Sequence, residues 1–579
     1  MKKLLTCILG QKDILLYFIA SLLACFAFHQ VIDSYGAYVI FMAVEGIVGV
    51  IGYYAYERIM LRKGSKPSGL VPIILIGVYA MQCIYVIAGE MINCYFTADM
   101  VQWIFTGILF VGIMVSLFGI LRLQHKEKIT PEQTVSAVIF VAFLFQLLYA
   151  QFTGAANISR QNDTIQFVAG GGHLGYIWHV WAYGTLPQVD PRTMWEFSQP
   201  PLYYLLSGYW CKISSLLGVN LLKVAENIQF LSVFCVTLTT IYVDKIMVRM
   251  KLSAQKRIWG VLLMSCIPYT TYLSGAVNND VLLALLTVMS FYYALKWYEE
   301  PKLTTLLADA VLTGLLVMSK SSGALVAPAI LVLWIMRFIK DKDMRLRRVG
   351  EYLLFGVISL PLGLWWNVRN MIRFDMPFLY VNEPSTDSVQ YIPDYTLWER
   401  LFDVKNQLNH PCIDLFNTSP NVDHNIIIST VKTLVFTQSV EMMKTPVTRF
   451  WGMAALVMTI LLLVVMIACG IVGLHKISVG KHFKLSWLVL CISYLAFYLH
   501  FNLQYPFVHT MHARYILPVI FLNIPWMICG MDFLWKNMKQ RLPKSYKWIK
   551  GIFAAYAIGY FGVVQCFIME IMIQAGEWV

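Results

Sequence analysis

Charge is scarce in this chain of 579 residues: Asp, Glu, Lys and Arg together make up 13% of it, about half the share found in a water-soluble domain. So few charged groups cannot cover a soluble protein of this size. With 58% hydrophobic residues, the class that remains is an all-α polytopic membrane protein with no large soluble domain. A metal cluster or disulfide framework is excluded on similar grounds. The twelve cysteines are scattered, none stands in a CxxC pair, and nearly all fall inside apolar runs as small hydrophobes. Several signatures of soluble enzymes are also missing: no GxGxxG after a strand, no P-loop, no HExxH and no GxSxG. The formal net charge of +13 does not point to nucleic acid, because Lys and Arg sit in short clusters between apolar runs, where they report topology. The opening "MKKLLTCILGQKDILLYFIASLLACFAF" begins positively but lacks a small-residue cleavage site, and predicts a retained first helix.

What is present is a succession of runs long enough to span a bilayer, which takes about 17 to 25 apolar residues each. They are predicted near Ile14–Val31, Ala37–Tyr56, Leu70–Ala88, Val101–Leu121, Thr134–Phe152 and Ile228–Val243, then Trp259–Leu273, Val281–Trp297, Leu303–Met318, Gly323–Met336 and Tyr352–Trp366, and finally Trp451–Leu474, Leu485–Phe501, Tyr515–Gly530 and Trp548–Ile571. That is about fifteen helices. The positive-inside rule places "ERIMLRKGSK" and "RLQHKEK" in the cytoplasm, with the N-terminus inside and the C-terminus outside. The stretch "SQPPLYYLLSGYWCKI" is apolar as well, but if it crossed, the following "DKIMVRMKLSAQKR" and every later basic loop would lie outside. It is predicted to be a juxtamembrane helix that lies along or dips into the outer leaflet.

This topology collects the unusual polar residues on the outer face. The first long outer loop carries Asp163, His173, His179, Asp190 and Glu196, interleaved with Tyr176, Trp178, Trp181, Tyr183 and Trp195. Rings to stack on a sugar face, mixed with carboxylates to take up hydroxyls or a proton, suit a carbohydrate. A second cluster, Asn278, Asn279 and Asp280, occupies a tight outer turn, where local hydrogen bonding is an equal explanation. Lys320, Arg369, Arg373, His509, His512 and Arg514 are basic groups at outer helix ends, against the usual bias. They read either as snorkelling side chains or as a clamp for phosphate. The loop from Arg373 to Arg449 is too long for a connector, and its "YIPDYTLWERLF" and "NIIISTVKTLVFTQ" segments are predicted to lie on the membrane as a lid or acceptor platform.

Taken together, Asp163 in the first outer loop, "GHLGYI", "LPQVDPR", "SQPPLYYLL", "LSGAVNND", "MSKSSG", "WWNVRN" and "HARYILP" resemble the bacterial polyprenyl-phosphate-sugar-dependent glycosyltransferases of the GT-C superfamily, relatives of the protein O-mannosyltransferases and of the aminoarabinose transferase of lipid A. The resemblance covers Thr134 to Ile571. It implies an N-terminal four-helix extension, residues 1–130, ahead of a GT-C type core, residues 131–579, with the first outer loop at 153–227 and the long outer loop at 370–449. It further implies a plasma-membrane enzyme with its site on the outer face, moving a sugar from a polyprenyl-phosphate carrier to an acceptor hydroxyl on a lipid, glycan or protein. Asp163 matches the position of the family's catalytic Asp and would act as general base for an inverting attack, the one-step logic of inverting glycosidases. Arg514, with Arg369, Lys320 and His512, would meet the departing phosphate, while His173, Glu196, Asp280, Asn279 and Tyr203 would hold sugar or acceptor. Many relatives carry a lysine before the paired prolines; Gln199 stands there in this chain, so the phosphate contact must come from elsewhere. A divalent metal would suit the hard ligands Asp163, Glu196, Asp280 and His173, although no spacing demands one. The alternative from another class is a transporter or flippase of lipid-linked saccharides, which would place charges mid-helix and repeat broken helices in paired halves.

Overall fold

The computed structural model describes residues 99–154, 171–216, 224–378 and, with short gaps, 380–575, besides scattered positions between 43 and 84. Named in chain order, its helices begin with α1 (Asp99–His125), α2 (Pro131–Phe152), α3 (Gly172–Tyr183), α4 (Leu202–Leu216), α5 (Ile228–Arg249) and α6 (Ala254–Cys266). Then come α7 (Pro268–Ser274), α8 (Asp280–Glu299), α9 (Leu303–Ser319), α10 (Ala327–Lys340), α11 (Arg345–Phe374) and α12 (Leu397–Phe402). The last are α13 (Ile426–Phe436), α14 (Pro446–Lys476), α15 (Lys481–Gln504), α16 (Leu517–Arg541) and α17 (Pro543–Ala575). Among the described residues ten helical stretches are long and apolar enough to cross a membrane. The first three apolar runs expected from sequence fall largely outside the described residues.

One expected crossing is broken and another is short. The run Trp259–Leu273 is broken into α6 and α7 by Pro268, which has no N–H to continue the ladder, and Ile267 before it adopts an extended backbone. The break is buried in protein, where freed backbone groups find partners: Thr270 Oγ1 donates to the Met264 carbonyl at 3.1 Å. The second is α9, which at 17 residues is at the short end of the range for a span.

Helix α4 is 15 residues long, about 22 Å at 1.5 Å per residue, well short of the ~30 Å hydrocarbon core. It packs in parallel on α3, with Tyr204 against Tyr176 and Gly208 so close to Val180 that an added methyl would lie 2.5 Å from Val180 Cγ1. A helix this short fits the juxtamembrane reading of "SQPPLYYLL". A second close approach joins α14 and α16, where Gly530 leaves no room for a side chain against the Cys469 carbonyl. The expected lid in the long outer loop is corrected in part. α13 is no surface cover: its Lys432–Phe436 end is buried, and Lys432 makes an ion pair of 2.6 Å with Asp423. Its Asn425 cap accepts from the Ile428 N–H, which starts the helix where the apolar run begins. α12 keeps Trp398 and Phe402 exposed while Arg400 turns inward to the Asn502 carbonyl at 2.6 Å.

Candidate active site

Because successive helices reverse direction, the loops that end at Asn278–Asp280, Lys320–Leu325, Phe374–Gln390 and Tyr505–Tyr515 meet at one end of the bundle. They surround a cavity of about 610 Å³. The turn after α7 reaches it through an Asx arrangement, in which the Asn278 side chain accepts from the Asp280 N–H at 3.1 Å and delivers Asp280 to the first turn of α8. There the helix N-terminus favours a carboxylate. Lys320 stands in extended backbone between α9 and a 3₁₀ turn, Ser321–Val326. Arg514 comes from a second 3₁₀ turn, Ala513–Ile516, whose start is capped by His512 Nδ1 accepting from the Arg514 N–H at 3.1 Å.

These three side chains form the charged centre of the cavity. Lys320 Nζ lies 2.5 Å from Asp280 Oδ1, and Arg514 Nε lies 3.9 Å from Asp280 Oδ2. Asp280 is only 3% exposed on its side chain and Arg514 only 8%, a degree of burial that charges tolerate only when paired. Tyr515 supports both cations with its ring, 5.5 Å from Lys320 Nζ and 5.0 Å from Arg514 Cζ. Two cations on one carboxylate leave a positive surplus facing open space, the requirement for holding an anion through charge-assisted hydrogen bonds.

The opposite wall comes from α3, α4 and the segment that joins them. His173 lines the cavity, and its Nδ1 is hydrogen-bonded to the Tyr204 hydroxyl at 2.8 Å. Burial holds the Tyr204 phenol well above its ordinary range, so it stays protonated. Tyr204 stacks on Tyr176 at 4.0 Å, and Tyr176 on Phe197 at 4.7 Å, a ladder of rings that stiffens the loop carrying Glu196. Glu196 itself adopts a left-handed backbone, φ +68°, which a residue with a side chain rarely takes up without a task. Gln199 accepts from Asn279 Nδ2 at 3.3 Å, tying the paired prolines to the turn that carries Asp280. Trp366 Nε1 adds a bond to the Ser198 carbonyl at 3.1 Å.

Of the residues expected from sequence, the cavity brings together His173, Glu196, Asn279, Asp280, Lys320 and Arg514. Asp163 lies outside the described residues. Three others sit elsewhere than expected. Arg369 donates to the Pro187 carbonyl at 2.7 Å and to Asn370 Oδ1 at 2.7 Å, over the Trp366 ring, and so clamps the segment after α3 from behind the lining. Tyr203 is buried edge-on to Tyr204, away from the cavity lining. His512 is buried as well and acts through the backbone of Arg514. Asp280, expected to bind hydroxyls, has both oxygens directed at cations. Among the described residues no group of three or more His, Cys, Asp or Glu side chains is gathered to hold a metal.

Sequence reasoning missed the roof. Tyr380, Asn382 and Gln390 from the long outer loop face Tyr505 and His509 across the cavity. An isolated antiparallel bridge joins Tyr391 to Phe507, with Val508 N–H donating to the Gln390 carbonyl at 2.9 Å and His509 Nδ1 bonded to Gln390 Oε1 at 2.8 Å. The signal was local: "QYIP" and "QYPF" each put a proline beside aromatic residues, which bars helix and leaves extended chain free to pair.

The family model described as dolichyl-phosphate-mannose-protein mannosyltransferase matches residues 199–366. No curated protein matches the chain. Among solved structures, ArnT from Cupriavidus metallidurans bound to undecaprenyl phosphate is 13% identical, with 70% of this chain and 80% of that chain covered and a TM-score of 0.33. The apo form of the same protein is 14% identical, with 68% and 76% covered and a TM-score of 0.32. A likeness that distant carries no residue-level argument. The matched segment 199–366 holds Gln199, Asn279, Asp280 and Lys320, residues that build one side of the cavity.

Proposed function

We propose that the chain transfers a sugar from a polyprenyl-phosphate carrier to an acceptor hydroxyl within this cavity, at the outer face of the plasma membrane and with inversion. The observation that carries the reading is the cation pair Lys320 and Arg514 held about Asp280. A phosphate leaving the anomeric carbon gains negative charge as the bond breaks, and two preoriented cations in a partly dry site stabilise it by a few kcal/mol. Asp280 is a positioning residue here, and Lys320 with Arg514 take the role left open by Gln199. Glu196, His173 and Asn279 face the same space from the other walls and are suited to sugar or acceptor hydroxyls. Asp163 supplies the base. In support, the segment that carries it departs after Gly154 and returns at Gly171, next to His173, at the same end of the bundle.

A flippase reading finds less support. The carboxylate inside α9, Asp309, is bonded to Ser290 Oγ at 3.0 Å, tying α9 to α8 away from the cavity lining, and marks no polar path across the bundle. The test is sugar transfer from a synthetic polyprenyl-phosphate donor by the purified protein and by Asp163→Asn. Transfer by the native chain and loss in the variant are expected. Full activity in the variant would remove Asp163 as base, and no transfer by the native chain would remove the reading itself.

A further inference from the structure

At the end of the bundle opposite the cavity, a second cleft of about 560 Å³ lies between the α5–α6 turn, the end of α8, the start of α15 and the last turns of α16. None of its residues takes part in the chemistry proposed above. Its walls carry four cations, Arg249, Lys251, Lys256 and Lys536, against two carboxylates, Glu299 and Asp532. The carboxylates are shared. Asp532 meets Lys256 at 2.9 Å and Lys536 at 3.0 Å, while Glu299 pairs with Arg249 and lies 3.7 Å from His482 Nε2. Lys251 has no ion-pair partner among the described residues, and it occupies a left-handed backbone, φ +60°, that an unbranched lysine does not adopt by preference. Arg249 keeps a buried Nε with no hydrogen-bond partner. A buried guanidinium N–H left unbonded is costly, and such an arginine gains from a further acceptor beside it.

The lining is not uniformly polar. Leu252, Val479 and Phe533 border the same space, so the cleft suits an anion attached to an apolar body. The geometry points to a site for a phosphate-bearing anion, its oxygens bonded to Lys251, Arg249 and Lys536 and its remainder lying against Leu252, Val479 and Phe533. A phosphate diester or monoester supplies several strong acceptors at once, which a single carboxylate does not, and planar Arg with mobile Lys is the pairing that recognises it. Two sources share this chemistry, the headgroup of an anionic membrane lipid and a free phosphate.

The test uses the full chain in a neutral detergent, titrated separately with phosphatidylglycerol, phosphatidylcholine and inorganic phosphate, with thermal stabilisation as readout. Saturable stabilisation by phosphatidylglycerol alone assigns the site to a lipid headgroup; stabilisation by inorganic phosphate as well assigns it to phosphate in general. In either case the double variant Lys251→Gln, Lys536→Gln weakens the half-saturating concentration about tenfold, whereas Lys547→Gln, Lys550→Gln, which removes the same charge from exposed positions outside the cleft, leaves it unchanged. Equal stabilisation by phosphatidylcholine, an equal loss in the two double variants, or no stabilisation by any of the three overturns the proposal.

Discussion

Two charged triads stand at opposite ends of the bundle and are mirror images in sign. At the cavity end the carboxylate of Asp280 is held between Lys320 and Arg514; at the other, the guanidinium of Arg257 is held between Asp244, at 2.7 Å, and Glu132. Arg257 is 3% exposed and fastens α2, α5 and α6 to one another. Arg257 and Asp244 are buried against each other, with Glu132 reaching in from the surface, so the guanidinium is taken up by its own partners. The Asp280 triad opens on a cavity, and its surplus charge is available to a ligand. Similar ion pairs therefore suit a fastening in one place and a binding site in the other, and the difference is the space beside them.

This contrast predicts which property each triad controls. Lys320→Gln and Arg514→Gln are expected to lower the transfer rate about a hundredfold or more, the loss seen when one group stabilising transition-state charge is removed, with a smaller loss of thermal stability than Arg257→Gln because Asp280 keeps its second cation. If stability fell as far as in Arg257→Gln, the cavity triad would be a fastening too. Arg257→Gln should do the reverse. Leaving the Asp244 carboxylate without its cation costs about 3 kcal/mol, read as a lower unfolding temperature in detergent, while the protein that remains folded transfers sugar at the native rate. Arg369→Gln, which removes the clamp on the Pro187 carbonyl, should cost about 1 kcal/mol and leave affinity for the carrier phosphate unchanged; a large drop in that affinity would return Arg369 to the phosphate site.

The smallest effect concerns the exposed pair of Asp190 and Arg192, which bonds onward to the Phe374 carbonyl at 2.8 Å. The side chain and backbone N–H of Arg192 hold the Asp190 carboxyl below its usual range. A depressed carboxylate contributes its stabilisation above the ordinary value and loses it as pH falls through the folded one, so the loop should stay protected until pH drops below about 4. Amide exchange in residues 184–193 measures this, and loosening already near neutral pH would contradict it.

Much of this was legible in the chain. The helices from Val101 onward follow the apolar runs closely, and the basic loops gather at one end because each span reverses the chain. The basic loops that follow "SQPPLYYLL" speak against its crossing, and α4, at 15 residues, is short for a span. Pro268 shows why one expected span is two helices, although a pattern of hydrophobicity alone does not register a missing N–H. Six of the expected site residues line the cavity, because outer-end polar groups in an apolar chain have few other places to go. The roles were less legible. Arg369 and Lys320 look alike as cations at helix ends, yet one binds a carbonyl and the other a buried carboxylate.

The sequence by itself determined the class, the alternation of helices and the end at which the polar residues gather, since these follow from hydrophobic length and local charge. Only the tertiary structure decided that Asp280 faces two cations 40 and more than 200 residues away, that Tyr204 holds His173, and that Gln390 meets His509 over the cavity. Such contacts depend on distances between segments remote in the chain, and no local pattern encodes a distance.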